Sequence, residues 1–113
     1  MDADFRNYVD GIDPAFRPLF DRVHGIVLAA HPDAELGMAY DMPTYRVGKR
    51  RLNLGVWKHG VSVYGWRRDN DGGFLDRHPD LLSSRTTLRI RPADAAAISD
   101  EEFMDLLGGA LEN

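Results

Sequence analysis

The hydrophobic period changes near residue 44, and that change limits the folds open to this chain. Before it, Phe16, Leu19, Phe20, Val23, Ile26, Val27 and Ala30 recur at helical spacing. Asp13-Pro14 is a helix-start signal, and Pro18 marks a second place where the regular helix can begin. His31-Pro32-Asp33 ends it, because the residue before a proline avoids the helical region. After the change, 44–47, 50–57 and 60–66 alternate apolar and polar residues, joined by the short turns VGKR and KHG. That pattern predicts an antiparallel meander. Alternation returns at 86–92.

Shorter signals complete the frame. Residues 4–10 read as a first helix, and 74–82 as a helical turn interrupted by Pro79. In SDEEFMDLLGGAL (99–111), Ser99 and Glu102 stand at capping-box spacing. Phe103, Leu106, Leu107 and Ala110 form its apolar stripe, and Gly108-Gly109 predicts a frayed end. Helices, then strands, then a last strand and helix imply one α+β domain over 1–113. The expected sheet has about five antiparallel strands, with the N- and C-terminal helices on one face.

Strand parity divides that sheet into two faces. Leu52, Leu54, Val56, Val61, Val63, Leu88 and Ile90 form the side expected under the helices. The opposite parity gives Arg51, Asn53 and Trp57, then Ser62, Tyr64 and Trp66, then Thr87, Arg89 and Arg91. Large aromatics mixed with guanidinium groups suit a planar or anionic ligand. The other reading is that 69–85 folds over this face and the arginines stack on tryptophans within the protein.

Charge supports two distinct surfaces. Residues 46–91 carry 11 of the 14 Lys and Arg but only 4 of the 18 Asp and Glu. The total is nevertheless acidic, at −4, and no RNP, KH or helix-turn-helix signature occurs. Both points argue against a nucleic-acid partner. The absence of cysteine excludes disulfides and thiol chemistry. No signal-peptide core and no apolar run long enough for a membrane span appear, so a cytoplasmic protein is expected. No GxSxG elbow, P-loop, GxGxxG or paired-histidine motif points to an enzyme. Asp100, Glu101 and Asp105 could hold a hard cation loosely, although acidic residues also simply suit a helix start.

The stretch AYDMPTYRV (39–47) concentrates unusual residues. Pro43 belongs at a strand start, edge or bulge, and Met42 before it is biased to extended geometry. Asp41 invites a reading as a general base, which would require a cleft around it. With HPDAEL before it, NLGVWKHGVSVYGW and SSRTTLRIRP after it and ISDEEFMDLLGGAL at the end, the chain resembles the YdhG-like family of small domains, which includes frataxin-like iron chaperones. Pro32, Asp33, Ala34, Glu35, Tyr40, Met42, Pro43, Tyr45, Tyr64, Leu88 and Arg89 fit the family pattern. Asp41 stands where the family has Gly, Arg85 where it has Lys, and Thr86 where it has Gly.

The resemblance implies the same α+β sheet and no established catalytic triad. Two functions are open. One is a non-enzymatic domain holding a small anionic or aromatic ligand against Tyr40, Asp41, Met42, Pro43, Tyr45, Trp57, Tyr64, Trp66, Arg85, Arg89 and Arg91. The other is an iron chaperone binding iron weakly through Asp100, Glu101 and Asp105 and passing it to a protein acceptor. An exposed aromatic face also suits a second copy of the chain, giving a homodimer.

Overall fold

The computed structural model describes residues 3–113. Helix α1 (Ala3–Asp10) leads into α2 (Arg17–Ala30). The meander follows as β1 (Glu35–Ala39), β2 (Met42–Val47), β3 (Arg50–Trp57) and β4 (Gly60–Tyr64). A 3-10 turn at Arg68–Asn70, the short helix α3 (Phe74–Arg77) and a second 3-10 turn at Pro79–Leu81 bring the chain to β5 (Leu82–Ser84). Strand β6 (Thr87–Ile90), helix α4 (Pro92–Ala95) and helix α5 (Asp100–Leu111) finish it. The six strands form one antiparallel sheet in the order β1-β2-β3-β4-β6-β5.

The meander forms as its alternation predicts, and the sheet gains two strands that the pattern does not announce. Strand β1 has the sequence ELGMA, without the β-branched residues that usually mark a strand. Strand β5 spans only three residues and begins at Leu82, the last residue of the segment expected to be a helical turn. Helix α2 starts at the second of its two start signals, with Pro18 in its first turn. Asp13 still acts locally, accepting the Ala15 N–H at 2.9 Å.

One face of the sheet carries the core. Tyr45, Leu52, Leu54, Val61, Val63, Leu88 and Ile90 are fully buried under α2 and α5. From the helices, Phe20, Val23 and Val27 meet Phe103, Leu106, Leu107 and Leu111. Arg22 ties α2 to the α4–α5 connection. It donates to the carbonyls of Ala95 and Ile98 at 2.9 and 2.7 Å, pairs with Asp100 at 2.8 Å, and lies over the Phe103 ring. Helix α1 is anchored by Tyr8, whose hydroxyl accepts the Val56 N–H at 2.8 Å, beyond the end of the β2–β3 ladder.

The expected fraying at Gly108-Gly109 does not occur. The helix runs on to Leu111, and both glycines are buried. A Cβ on Gly109 would stand 1.9 Å from the Asn70 carbonyl oxygen, and one on Gly108 would stand 3.2 Å from the Ala30 Cβ. The pair is a notch that admits the 68–70 turn and the end of α2.

Two measurements check this frame. Gly109→Ala raises helix propensity by about 1 kcal/mol, but its methyl group meets backbone that has nowhere to go. Net destabilisation of about 1–3 kcal/mol is expected from such overpacking, read from the urea midpoint. The second concerns Glu102, whose carboxyl is held down to about 2, first by the Ser99 N–H and then by His78 and Arg77. A carboxylate with a lowered folded pKa stabilises fully above its unfolded value, and that stability is lost as pH falls through the folded one. Wild-type stability should therefore drop between pH 4.5 and about 2, and Glu102→Gln should flatten the drop.

Candidate functional site

The sheet face opposite the helices is open. Of the segment 69–85, which could have covered it, residues 70–78 pack instead on the helical side, and Asp80, Leu81 and Ser83 reach only the border of the face. Phe74 lies against Phe103, Asn70 donates to the Gly109 carbonyl, and Arg77 and His78 both reach Glu102. The open face has a polar centre. Asn53 donates to the Thr44 hydroxyl at 2.7 Å, and that hydroxyl donates to the Met42 carbonyl. Thr44, Asn53, Ser62 and Thr87 are buried beneath the longer side chains around them.

Two clusters of long side chains stand on this face. The first gathers Tyr40, Met42 and Tyr64. Residues 40 and 41 form the two-residue turn between β1 and β2, and both have positive φ, at 55° and 60°. That geometry is the type I′ hairpin turn, whose twist matches the strands and which favours Asn and Gly. The turn delivers Tyr40 onto the open face, 72% exposed, with the Arg51 guanidinium 5.4 Å from its ring centroid. Met42 and Tyr64 both lie over Gly55, where a Cβ would stand 2.9 Å from the Met42 sulfur.

The second cluster is the stronger site. Trp57, at the end of β3, pairs in register with Gly60, which offers no side chain. The indole therefore reaches across β4 to β6, where Arg89 and Arg91 lie over it at 4.7 and 5.7 Å. His59 meets its edge at 5.0 Å. Trp57, Arg89 and Arg91 border a cleft of about 510 Å³. The chain that leads into β5 adds Asp80, Leu81 and Ser83, and α4 adds Asp94. Among the described residues, neither Arg89 nor Arg91 forms an ion pair with a carboxylate. The Trp57 indole N–H is the buried side-chain polar atom among them that has no hydrogen-bond partner.

Several expected site residues lie elsewhere. Tyr45 pairs in register with Leu52 and so points into the core. There its hydroxyl shares a 2.8 Å hydrogen bond with His24 Nδ1. Burial pushes the Tyr45 phenol pKa up and the His24 imidazole pKa down. Pro43 is likewise buried on the core side, opposite Met38, and the ladder to β3 opens one residue later at Thr44. Trp66 leaves the expected parity because Gly65, with φ of 90°, ends the strand before it. Its ring is 8% exposed, its N–H donates to the Thr86 carbonyl, and Arg68 lies over it. Arg85 sits in the β5–β6 turn, where its carbonyl accepts from Arg68, and it does not border the cleft. Asp41 is exposed at the hairpin tip and does not line the cleft.

The acidic residues proposed for iron stand along one exposed stretch of α5, beside Met104. Asp100 has an oxygen engaged by Arg22. Among the described residues no three His, Asp or Glu side chains stand close enough to hold a metal ion. Among them also, no helix is long and apolar enough to cross a membrane.

Asp80, Leu81, Ser83 and Asp94 were not singled out from the sequence. Only Asp94 had a local signal, since Pro92 and Asp94 fit the first and third positions of a helix, and the Asp94 carboxylate accepts the Arg91 N–H at 2.9 Å. Comparison of the chain with protein-family models, with curated proteins and with solved structures found no match.

The hairpin turn yields its own test. A non-glycine residue in the left-handed region is strained by roughly 1 kcal/mol, and glycine returns part of that relief as lost chain entropy. Asp41→Gly should therefore stabilise the protein by about 0.5 kcal/mol, seen as a higher urea midpoint with an unchanged slope.

Proposed function

We propose that this chain is a non-enzymatic, cytoplasmic binding domain whose open sheet face holds a small planar ligand carrying an anionic group. The observation that carries the reading is the pair of arginines, Arg89 and Arg91, that lie over the Trp57 ring at the border of the cleft with no carboxylate partner among the described residues. Arginines stacked on a ring keep their guanidinium edges free, and those edges match a carboxylate or phosphate in two parallel hydrogen bonds. The cleft volume lies within the range of small-molecule sites. Ser83 borders the cleft without the His or Lys that ordinarily activates a serine nucleophile, which supports binding over acyl transfer. The YdhG-like resemblance belongs to the same proposal, supported by the order of helices and strands and by the strained turn at the position where that family has Gly.

Benzoate and phenyl phosphate are suitable probes, followed by tryptophan fluorescence and by calorimetry. Saturable binding is expected for at least one of them. Arg89→Ala should weaken it by about tenfold or more, as for loss of a charge-assisted hydrogen bond. Trp57→Phe, which keeps a ring but loses the indole, should abolish the fluorescence change. Absence of saturable binding of either probe to the wild-type protein would overturn the proposal.

A further inference from the structure

The cleft beside Trp57 is bordered by both signs of charge. Arg89 and Arg91 supply two guanidinium groups, and Asp80 and Asp94 two carboxylates. None of the four is within ion-pairing distance of another. Opposite charges that share one cleft normally close on each other unless the scaffold restrains them. Here it does. The arginines are stacked on the Trp57 ring at 4.7 and 5.7 Å. Asp94 is fixed by accepting the Arg91 backbone N–H through Oδ2, an interaction that leaves Oδ1 free. Asp80 is held in the 3-10 turn at Pro79–Leu81. The charges at the border cancel, so a simple anion gains from the arginines and loses to the aspartates.

From this arrangement, and resting on the reading of the cleft as an anion site, we infer that its ligand is a small zwitterion of the amino-acid class with an apolar side chain. The carboxylate lies against Arg89 and Arg91. The ammonium group lies between Asp80 and Asp94. The side chain packs on Leu81 and the indole ring. A ligand with both charges satisfies all four groups at once, which neither a bare anion nor a bare amine does.

Three probes of one shape separate the terms: L-phenylalanine, 3-phenylpropionate without the ammonium, and phenethylamine without the carboxylate. Calorimetry should give phenylalanine the tightest binding, at least about tenfold tighter than either analogue, as for one charged contact. The exposed Asp80 allows Asp80→Asn without disturbing the core, with the fold checked by circular dichroism. That variant should cut the phenylalanine-to-phenylpropionate affinity ratio by about tenfold. Equal or tighter binding of phenylpropionate, or an unchanged ratio in the variant, would overturn the zwitterion and leave the anion site standing. No binding of any of the three probes would overturn both.

Discussion

Helix α5 reaches its place only because Gly109 lets its backbone meet that of the 68–70 turn and Gly108 leaves room for the Ala30 side chain. The 68–70 turn lies against one glycine and the end of α2 against the other. This contact gathers α2, α5 and the first part of the connection after β4 on a single side of the sheet. The apolar parity of β3, β4 and β6 is consumed there, in one core. What remains on the far side has no helix to bury it, and its composition suits that exposure.

The two faces thus obey different rules. Behind the helices, close packing of aliphatic and aromatic groups encloses Tyr45, whose hydroxyl bonds to His24. On the open side, Asn53 and Thr44 bond across the ladder, and small residues on β3 and β4 let long side chains lie flat over them. Gly60 is the opening through which the Trp57 indole meets the arginines of β6. A side chain there would also strike the Ile90 carbonyl, since a Cβ would stand 2.1 Å from its oxygen. The same small residue therefore serves both the sheet's own spacing and the form of the cleft.

Much of this was legible in the sequence where the signal is local. The meander, the last helix with its capping box, and the parity that puts Trp57, Arg89 and Arg91 together all follow from periodicity. Strand β1 escaped because ELGMA lacks strand-forming side chains and is recruited by pairing with β2. Gly108 and Gly109 read as a weak helix end because their value lies in contacts with Asn70 and Ala30, residues far away in the chain. Trp66 was misplaced by extending alternation through Gly65, whose positive φ resets it. Half of the cleft, from Asp80 to Ser83 and at Asp94, arrives through chain reversals that no short-range pattern encodes.

The irregular pairing of β5 has a further consequence, at the margins of the sheet. Its three residues fall out of step with β6 between Leu82 and Ser84, so that margin is a poor template for another strand. Strand β1, at the opposite margin, pairs regularly along five residues. A strand added beside β5 would have to break step there, so the sheet ends on that side by its own geometry rather than by a covering element.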